Sequence, residues 1–70
     1  MAHMDFANNL KNLRIQFGYT QAELAEMLNI KQQSYSRYEK GTGEPNIATL
    51  SKLADIFDVS VDALIGRVHY

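Results

Sequence analysis

The sequence predicts a compact all-α domain built from five short helices. Three observations lead to this fold class. Apolar residues recur three or four positions apart, as one face of a helix requires. Residues that start or end helices bound each such run. No stretch alternates between apolar and polar residues for long enough to form a strand.

The composition fits one small globular domain. The chain has 70 residues, of which 46% are hydrophobic and 21% are charged, and this apolar fraction fills a single core. It has no cysteine, which excludes disulfides and thiolate metal sites. No apolar run approaches the ~18 residues of a membrane span and no secretion signal is recognisable, so we expect a cytoplasmic protein.

The first helix is predicted to begin after the N-cap Asp5 and to end at Gly18. Its apolar residues are Phe6, Ala7, Leu10, Leu13 and Phe17. We expect residues 1–4 to be a cloning remnant outside the fold. The domain is expected to span residues 5–66, with residues 67–70 as a C-terminal tail.

A tight turn is predicted between the second and third helices. Thr20 and Glu23 have the spacing of a capping box, so the second helix starts at Gln21. It ends before Asn29, a residue that tolerates positive φ. The third helix is predicted over residues 32–40, with its inward side chains Tyr35 and Tyr38 three positions apart.

Two further helices follow a loop that contains Pro45. Asn46 is the predicted N-cap of the fourth helix, and Asp58 is its predicted left-handed C-cap. The apolar stripe of this helix is Ile47, Leu50, Leu53, Ala54 and Phe57. Ser60 is predicted to cap a last short helix over residues 61–65, closed by Gly66.

The distribution of charge is more informative than its sum. A net charge of -1 argues against a domain that binds nucleic acid through overall positive charge. Residues 31–40, however, carry Lys31, Arg37 and Lys40 against Glu39 alone. A local basic surface of this kind attracts anions even on a mildly acidic protein.

The middle pair of helices has the layout that places a helix in the major groove of DNA. This spacing alone is weak evidence, but the second helix of the pair displays Gln32, Gln33 and Arg37. A glutamine amide matches N6 and N7 of adenine, and an arginine forks onto O6 and N7 of guanine. The alternative is that the two glutamines are ordinary solvated residues.

These residues resemble the phage-repressor-type helix-turn-helix regulators of the Cro/CI or XRE-like family. The resemblance extends from Phe6 to Gly66 and is carried by residues 10–14, 20–25, 36–41, 44–45 and 58–62. It implies a lambda-repressor-like fold and sequence-specific binding of double-stranded DNA. The regulator is expected to be dimeric and to act as a repressor that reads the major groove with its third helix.

The resemblance also implies a role for individual residues. Base contacts fall to Gln32, Gln33 and Arg37, although Arg37 can equally clamp a phosphate. Contacts with phosphates or nearby groups fall to Gln21, Ser36, Lys40 and Thr42. Lys31 is also expected to contact a phosphate, not from the family pattern but from its position beside the base-reading residues. The family further pairs the arginine at position 14 with the glutamate at position 39, so Arg14 and Glu39 are expected to form a structural ion pair.

Four residues depart from the family pattern. Asn29 and Asp58 replace glycines, and both accept left-handed backbone. Lys31 replaces the Ser or Thr that caps the third helix, which leaves an amide to water. Tyr35 replaces a smaller aliphatic residue, so its hydroxyl must reach the surface or a polar partner.

The C-terminal end is rich in apolar residues, and we expect Val61, Leu64, Ile65 and Val68 to form a homodimer interface. A place for Leu64 in the domain's own core is the open alternative. A dimer would match an imperfectly palindromic DNA operator.

Catalysis is not expected, since no Ser, His and acidic residues have the pattern of an activated nucleophile. A calcium site is not expected either, because no acidic cluster has the dense spacing of a calcium loop. We expect no cofactor, no metal and no membrane partner. The expected location is the bacterial or phage-infected cytoplasm, on the nucleoid. The competing hypothesis is a protein-interaction module, an antitoxin or adaptor, on the same fold.

Overall fold

Five helices follow one another in the order that the sequence predicts. The computed structural model describes the backbone of residues 2–66 and the side chains of residues 6–66. The helices are α1 (Ala2–Phe17), α2 (Gln21–Leu28), α3 (Gln32–Lys40), α4 (Ile47–Phe57) and α5 (Val61–Leu64). No strand occurs within this part of the chain, and the all-α fold class is confirmed.

Local hydrogen bonds set most helix boundaries. The side chains of Thr20, Asn46 and Ser60 each accept a hydrogen bond from the backbone N–H three residues ahead, which satisfies a free donor at the helix start. Asn29 and Asp58 adopt left-handed backbone, with φ of 58° and 54°, at the ends of α2 and α4. These caps lie at the positions that the sequence predicts.

Two helix boundaries differ from the prediction. The α1 helix begins at Ala2 and not after Asp5, because no glycine or proline precedes Asp5 to stop it and alanine and methionine favour helix. The α5 helix ends one residue early, at Leu64. Ile65 takes ψ of 2° there, ahead of Gly66 at a positive φ of 77°.

One core receives side chains from every helix. Its buried members are Phe6, Ala7, Leu10, Leu24, Ala25, Leu28, Tyr35, Leu53, Ala54, Phe57 and Leu64. The prediction that Ile47 joins the stripe of α4 is wrong, since this first residue of the helix is 79% exposed. Phe17 is also partly exposed, although its ring meets that of Phe57 edge-on at 5.2 Å.

The α3 helix packs mainly against α1 and α2. Tyr35 of α3 is fully buried, and α3 contributes no other fully buried residue. One side of this short helix is therefore anchored in the core, and the opposite side faces solvent.

The contrast between two positions of α4 tests this account of the core. Leu53→Ala removes a side chain with 0% exposure, so we expect it to lower the free energy of unfolding by about 2–5 kcal/mol. In urea denaturation, the midpoint concentration should fall, while the slope of the unfolding free energy against urea concentration should stay unchanged. The control Ile47→Ala, at an exposed position of the same helix, should change the unfolding free energy by no more than about 0.5 kcal/mol. Equal losses at both positions would contradict the packing described above.

Candidate nucleic-acid interface

The α2–turn–α3 unit begins with a complete capping box. The Thr20 hydroxyl accepts from the backbone N–H of Glu23 at 3.0 Å, and the Glu23 carboxylate accepts from the backbone N–H of Thr20 at 2.8 Å. These two bonds fix where α2 starts. They also place Gln21, the first residue of α2, at the exposed end of that helix.

A short turn separates α2 from α3. Asn29 ends α2 in left-handed backbone, and the N–H of Ile30 donates to the carbonyl of Ala25 at 3.0 Å. Lys31 is the N-cap of α3 and provides no side-chain hydrogen bond. The start of α3 is therefore uncapped, as expected from a lysine at the position where the family has Ser or Thr, and a cation lies beside its free amides.

The two sides of α3 differ in chemistry. Tyr35 is buried, and Tyr38 and Glu39 are half-buried on the same side. The exposed residues of α3 and its N-cap are Lys31, Gln32, Gln33, Arg37 and Lys40. The outer side of the helix therefore carries amides and cations, and Glu39, its one acid, lies on the inner side.

The Glu39 carboxylate accepts hydrogen bonds from three side chains on three helices. Arg14 of α1 donates through Nε at 2.7 Å and through Nη2 at 3.2 Å. Gln21 of α2 donates through Nε2 at 3.0 Å, and Tyr35 of α3 donates through its hydroxyl at 2.5 Å. We call these four residues the Glu39 network. It contains the ion pair that the family resemblance implies, together with two donors that it does not.

The Glu39 network is largely withdrawn from water. The side chain of Glu39 is 4% exposed and that of Arg14 is 15% exposed. A charge in such a position is costly unless it is paired and hydrogen-bonded. Here the guanidinium also donates through Nη1 to the carbonyl of Tyr19 at 3.0 Å, so the pair joins α1, the start of α2 and α3.

The pKa values of the network reflect these bonds. Burial acts to raise the pKa of Glu39, but the hydrogen bonds from Arg14, Tyr35 and Gln21 outweigh it, and the pKa lies below its ordinary value. The bond to Glu39 raises the pKa of Arg14. Burial and the bond to Glu39 raise the pKa of Tyr35. Tyr35 is therefore a neutral donor to a carboxylate that stays ionised near neutral pH.

Sequence reasoning missed two members of this network. It anticipated that the Tyr35 hydroxyl needs a partner but did not identify Glu39, although the two residues are four apart on one helix and so share a face. It expected Gln21 to touch a phosphate and did not foresee its bond to Glu39. A glutamine amide has two N–H donors and an acceptor oxygen, so this bond leaves Gln21 with one further donor and its acceptor oxygen.

The remaining candidates lie in two places. Ser36 is half-buried on α3, and Thr42 is exposed in the loop that follows. Of the residues expected at a dimer interface, Val61 and Ile65 are half-buried and Val68 lies outside the described residues. Leu64 is 1% exposed and belongs to the core, which corrects its assignment to the interface and agrees with the alternative left open for it.

Among the side chains of residues 6–66, no three of His, Cys, Asp or Glu come together in a way that could hold a metal ion. None of the helices in this part of the chain combines the length and apolarity needed to cross a bilayer.

Known proteins share both the sequence and the fold. A family model described as helix-turn-helix, HTH_3, matches residues 10–64. The SPbeta prophage-derived uncharacterized HTH-type transcriptional regulator YonR of Bacillus subtilis is 42% identical over 64 residues, which are 91% of this chain and 59% of YonR. The cryptic phage CTXphi transcriptional repressor RstR of Vibrio cholerae is 39% identical over 64 residues, 91% of this chain and 57% of RstR.

A solved structure gives the same picture. A transcriptional regulator from Listeria innocua superposes with a TM-score of 0.87 at 35% identity, over 93% of this chain and 61% of that chain. The chain therefore spans less than two thirds of the length of these relatives.

The Tyr35 hydroxyl can be removed without changing the ring. Tyr35→Phe deletes one donor to a charged group, so we expect the free energy of unfolding at neutral pH to fall by about 1.5–3 kcal/mol. A carboxyl whose folded pKa is depressed stabilises the fold above its unfolded pKa, and this stability is lost as pH falls through the folded pKa. The difference in unfolding free energy between the wild type and Tyr35→Phe should therefore shrink in acid. Urea denaturation at a series of pH values measures this difference.

The control for this experiment is Tyr38→Phe, which leaves all donors of the Glu39 carboxylate in place. Its effect should not depend on the protonation of Glu39. A Tyr35→Phe deficit that stays constant as the pH falls through the range in which the Glu39 carboxylate takes up its proton would contradict the described coupling.

Proposed function

The chain belongs to the helix-turn-helix family HTH_3, and from this membership we propose that it binds double-stranded DNA sequence-specifically as a dimeric transcriptional repressor. The observation that carries the proposal is the outer side of α3. Gln33 and Arg37 are exposed there, opposite a side that Tyr35 and the Glu39 network hold against the core, and Gln32 is exposed in the first turn of the helix. A helix of this kind enters the major groove with its exposed tips toward the base edges.

The proposal assigns the base contacts to Gln32, Gln33 and Arg37. Glutamine presents a donor and an acceptor that pair with adenine, and the guanidinium of Arg37 presents two parallel donors to guanine. Both kinds of contact need side chains that leave the helix on one side. Gln33 and Arg37 are four residues apart on α3, and so lie on a common face.

Contacts with the DNA backbone are assigned to residues around this face. They are Gln21, Lys31, Ser36, Lys40 and Thr42. Gln21 stands at the start of α2, where the helix dipole and free amides favour a phosphate. Lys31 and Lys40 stand at the two ends of α3. Such contacts fix the register of the protein on DNA and make binding sensitive to salt.

A homodimer would bring two copies of α3 to one operator. We assign its surface to Val61 and Ile65 on and beside α5, together with Val68. In dimers of this type the recognition helices lie one turn of DNA apart, about 34 Å, so the operator is an imperfect palindrome. A dimer bound at such a site blocks polymerase, and this is the proposed mechanism of repression. Binding to DNA also places the protein on the nucleoid in the cytoplasm.

Selection of bound duplexes from a random pool tests the proposal as a whole. We expect an enriched sequence with two inverted half-sites, bound less tightly as salt increases. Failure to enrich any duplex, together with co-purification of one specific protein, would instead favour the alternative of a protein-interaction module on this fold.

The two classes of contact should respond differently to substitution. Gln33→Ala is expected to lose preference at one base pair, by about 1–3 kcal/mol. Lys40→Ala is expected to weaken all sequences alike and to reduce the slope of log affinity against log salt by about one. Titrations of matched and mismatched duplexes at several salt concentrations measure both. The control is Lys11→Ala, which changes an exposed lysine of α1 outside the assigned contacts. Identical behaviour of Gln33→Ala and Lys40→Ala would refute the division into base contacts and phosphate contacts.

The dimer surface is tested with an aspartate at position 65. Ile65→Asp places a charge on a half-buried apolar residue, so we expect it to sediment as a monomer and to bind only a half-site, weakly. Ile15→Asp on α1 is the control, because Ile15 is an apolar residue with 57% exposure that is not assigned to the dimer surface. Unchanged sedimentation of Ile65→Asp would remove α5 from the interface.

A further inference from the structure

The loop that follows α3 folds back onto Arg37. The α3 helix ends at Gly41, in left-handed backbone with φ of 78°. The backbone N–H groups of Thr42 and Gly43 then donate to the carbonyl of Arg37, at 3.1 and 3.3 Å. Residues 41–43 are thereby held against the last turn of the helix, at the root of the Arg37 side chain.

Gly43 makes the closest approach in this loop. A Cβ built on Gly43 would lie 3.1 Å from the Cβ of Arg37 and 3.8 Å from Cδ1 of Tyr38. The first of these distances is shorter than an ordinary contact between two carbon atoms, about 3.5–4.0 Å. Any residue other than glycine at position 43 would therefore displace either the loop or the root of the Arg37 side chain.

The backbone itself does not demand glycine at this position. Positive φ is found at Gly18, Gly41 and Gly66, and Gly43 is not among them. The absence of a side chain at position 43 allows the backbone of the loop to approach the Cβ of Arg37 closely. A neighbour packed against a Cβ restricts the directions in which the rest of the side chain can leave it, because side chains occupy discrete staggered rotamers.

We propose that Gly43 is a specificity-determining position, because it sets the direction in which Arg37 leaves α3 and so the base pair that the guanidinium reaches. This inference rests on the proposed function, in which Arg37 reads a base. An arginine held in one direction loses less conformational entropy when it forms its paired hydrogen bonds than one that samples many. Gly43 touches no base in this scheme and acts only through Arg37.

The first test uses the protein without DNA. Three-bond NMR couplings at the β-protons of Arg37 report its χ1 angle. We expect one dominant rotamer in the wild type and a different or averaged one in Gly43→Ala. Averaging over rotamers in the wild type, or identical couplings in the two proteins, would overturn the proposal, whether or not the chain binds DNA.

The second test compares four proteins on a panel of duplexes: wild type, Gly43→Ala, Arg37→Ala and the double variant. Gly43→Ala should lose preference at the same base pair as Arg37→Ala, by about fivefold, the lower end of what one bidentate contact provides. In the Arg37→Ala background, Gly43→Ala should cause no further change in preference.

The outcomes separate this inference from the function on which it rests. If the wild type prefers no duplex, the proposed function falls and the inference falls with it. If Arg37→Ala changes the preference and Gly43→Ala does not, the inference alone is overturned. Uniform weakening across all duplexes, or loss of helicity by circular dichroism in Gly43→Ala, also overturns it, because the position would then act on general affinity or on stability.

Discussion

The carboxylate of Glu39 is the point on which the geometry of the candidate interface depends. It accepts hydrogen bonds from α1, from α2 and from its own helix, through Arg14, Gln21 and Tyr35. A charge with 4% exposure is tolerated only because these donors replace water. The same requirement makes the arrangement specific, since removing Arg14 would leave Glu39 buried and unpaired at a cost of about 3–5 kcal/mol. The network therefore ties three helices into one orientation, and apolar packing around Tyr35 alone would constrain that orientation less.

Core and interface are not separate in this small domain. Tyr35 is fully buried among apolar side chains, yet its hydroxyl belongs to the Glu39 network. Gln21 stands at the proposed phosphate contact, yet it donates to the same carboxylate. A displacement of α3 would break the bonds from Gln21 and Arg14 to Glu39 and would withdraw Tyr35 from the core at the same time. The position of the proposed recognition helix is thus fixed by the same residues that stabilise the fold, which is how so small a core can present a defined surface.

How far the sequence predicts this structure depends on the range of the interactions involved. Caps such as Thr20 and Asn46 are local: each bonds to an amide three residues ahead, and the sequence places them correctly. The exposure of Ile47 and the burial of Leu64 depend on which other helix covers them, and periodicity along one helix carries no such information. The ion pair of Arg14 and Glu39, 25 residues apart, was expected only from the family resemblance. The hydrogen bonds from Tyr35 and Gln21 to Glu39 could be identified only in the assembled structure, although the four-residue spacing of Tyr35 and Glu39 already allowed the first of them.

The same network resolves an apparent conflict between the charge of the chain and its proposed ligand. A net charge of -1 does not by itself attract DNA. Between residues 31 and 43, however, Glu39 is the only acid, and Lys31, Arg37 and Lys40 are the cations. Because Glu39 is withdrawn from water and paired with Arg14 of another helix, its charge is neutralised within the fold. The exposed residues of α3 and its N-cap are then three cations and two glutamines. Interactions with exposed charges farther away than a Debye length, about 8 Å at physiological salt, are largely screened. A phosphate near these cations therefore does not meet the charge of Glu39, so burying this carboxylate both orients α3 and removes the one acid of that helix from the exposed surface.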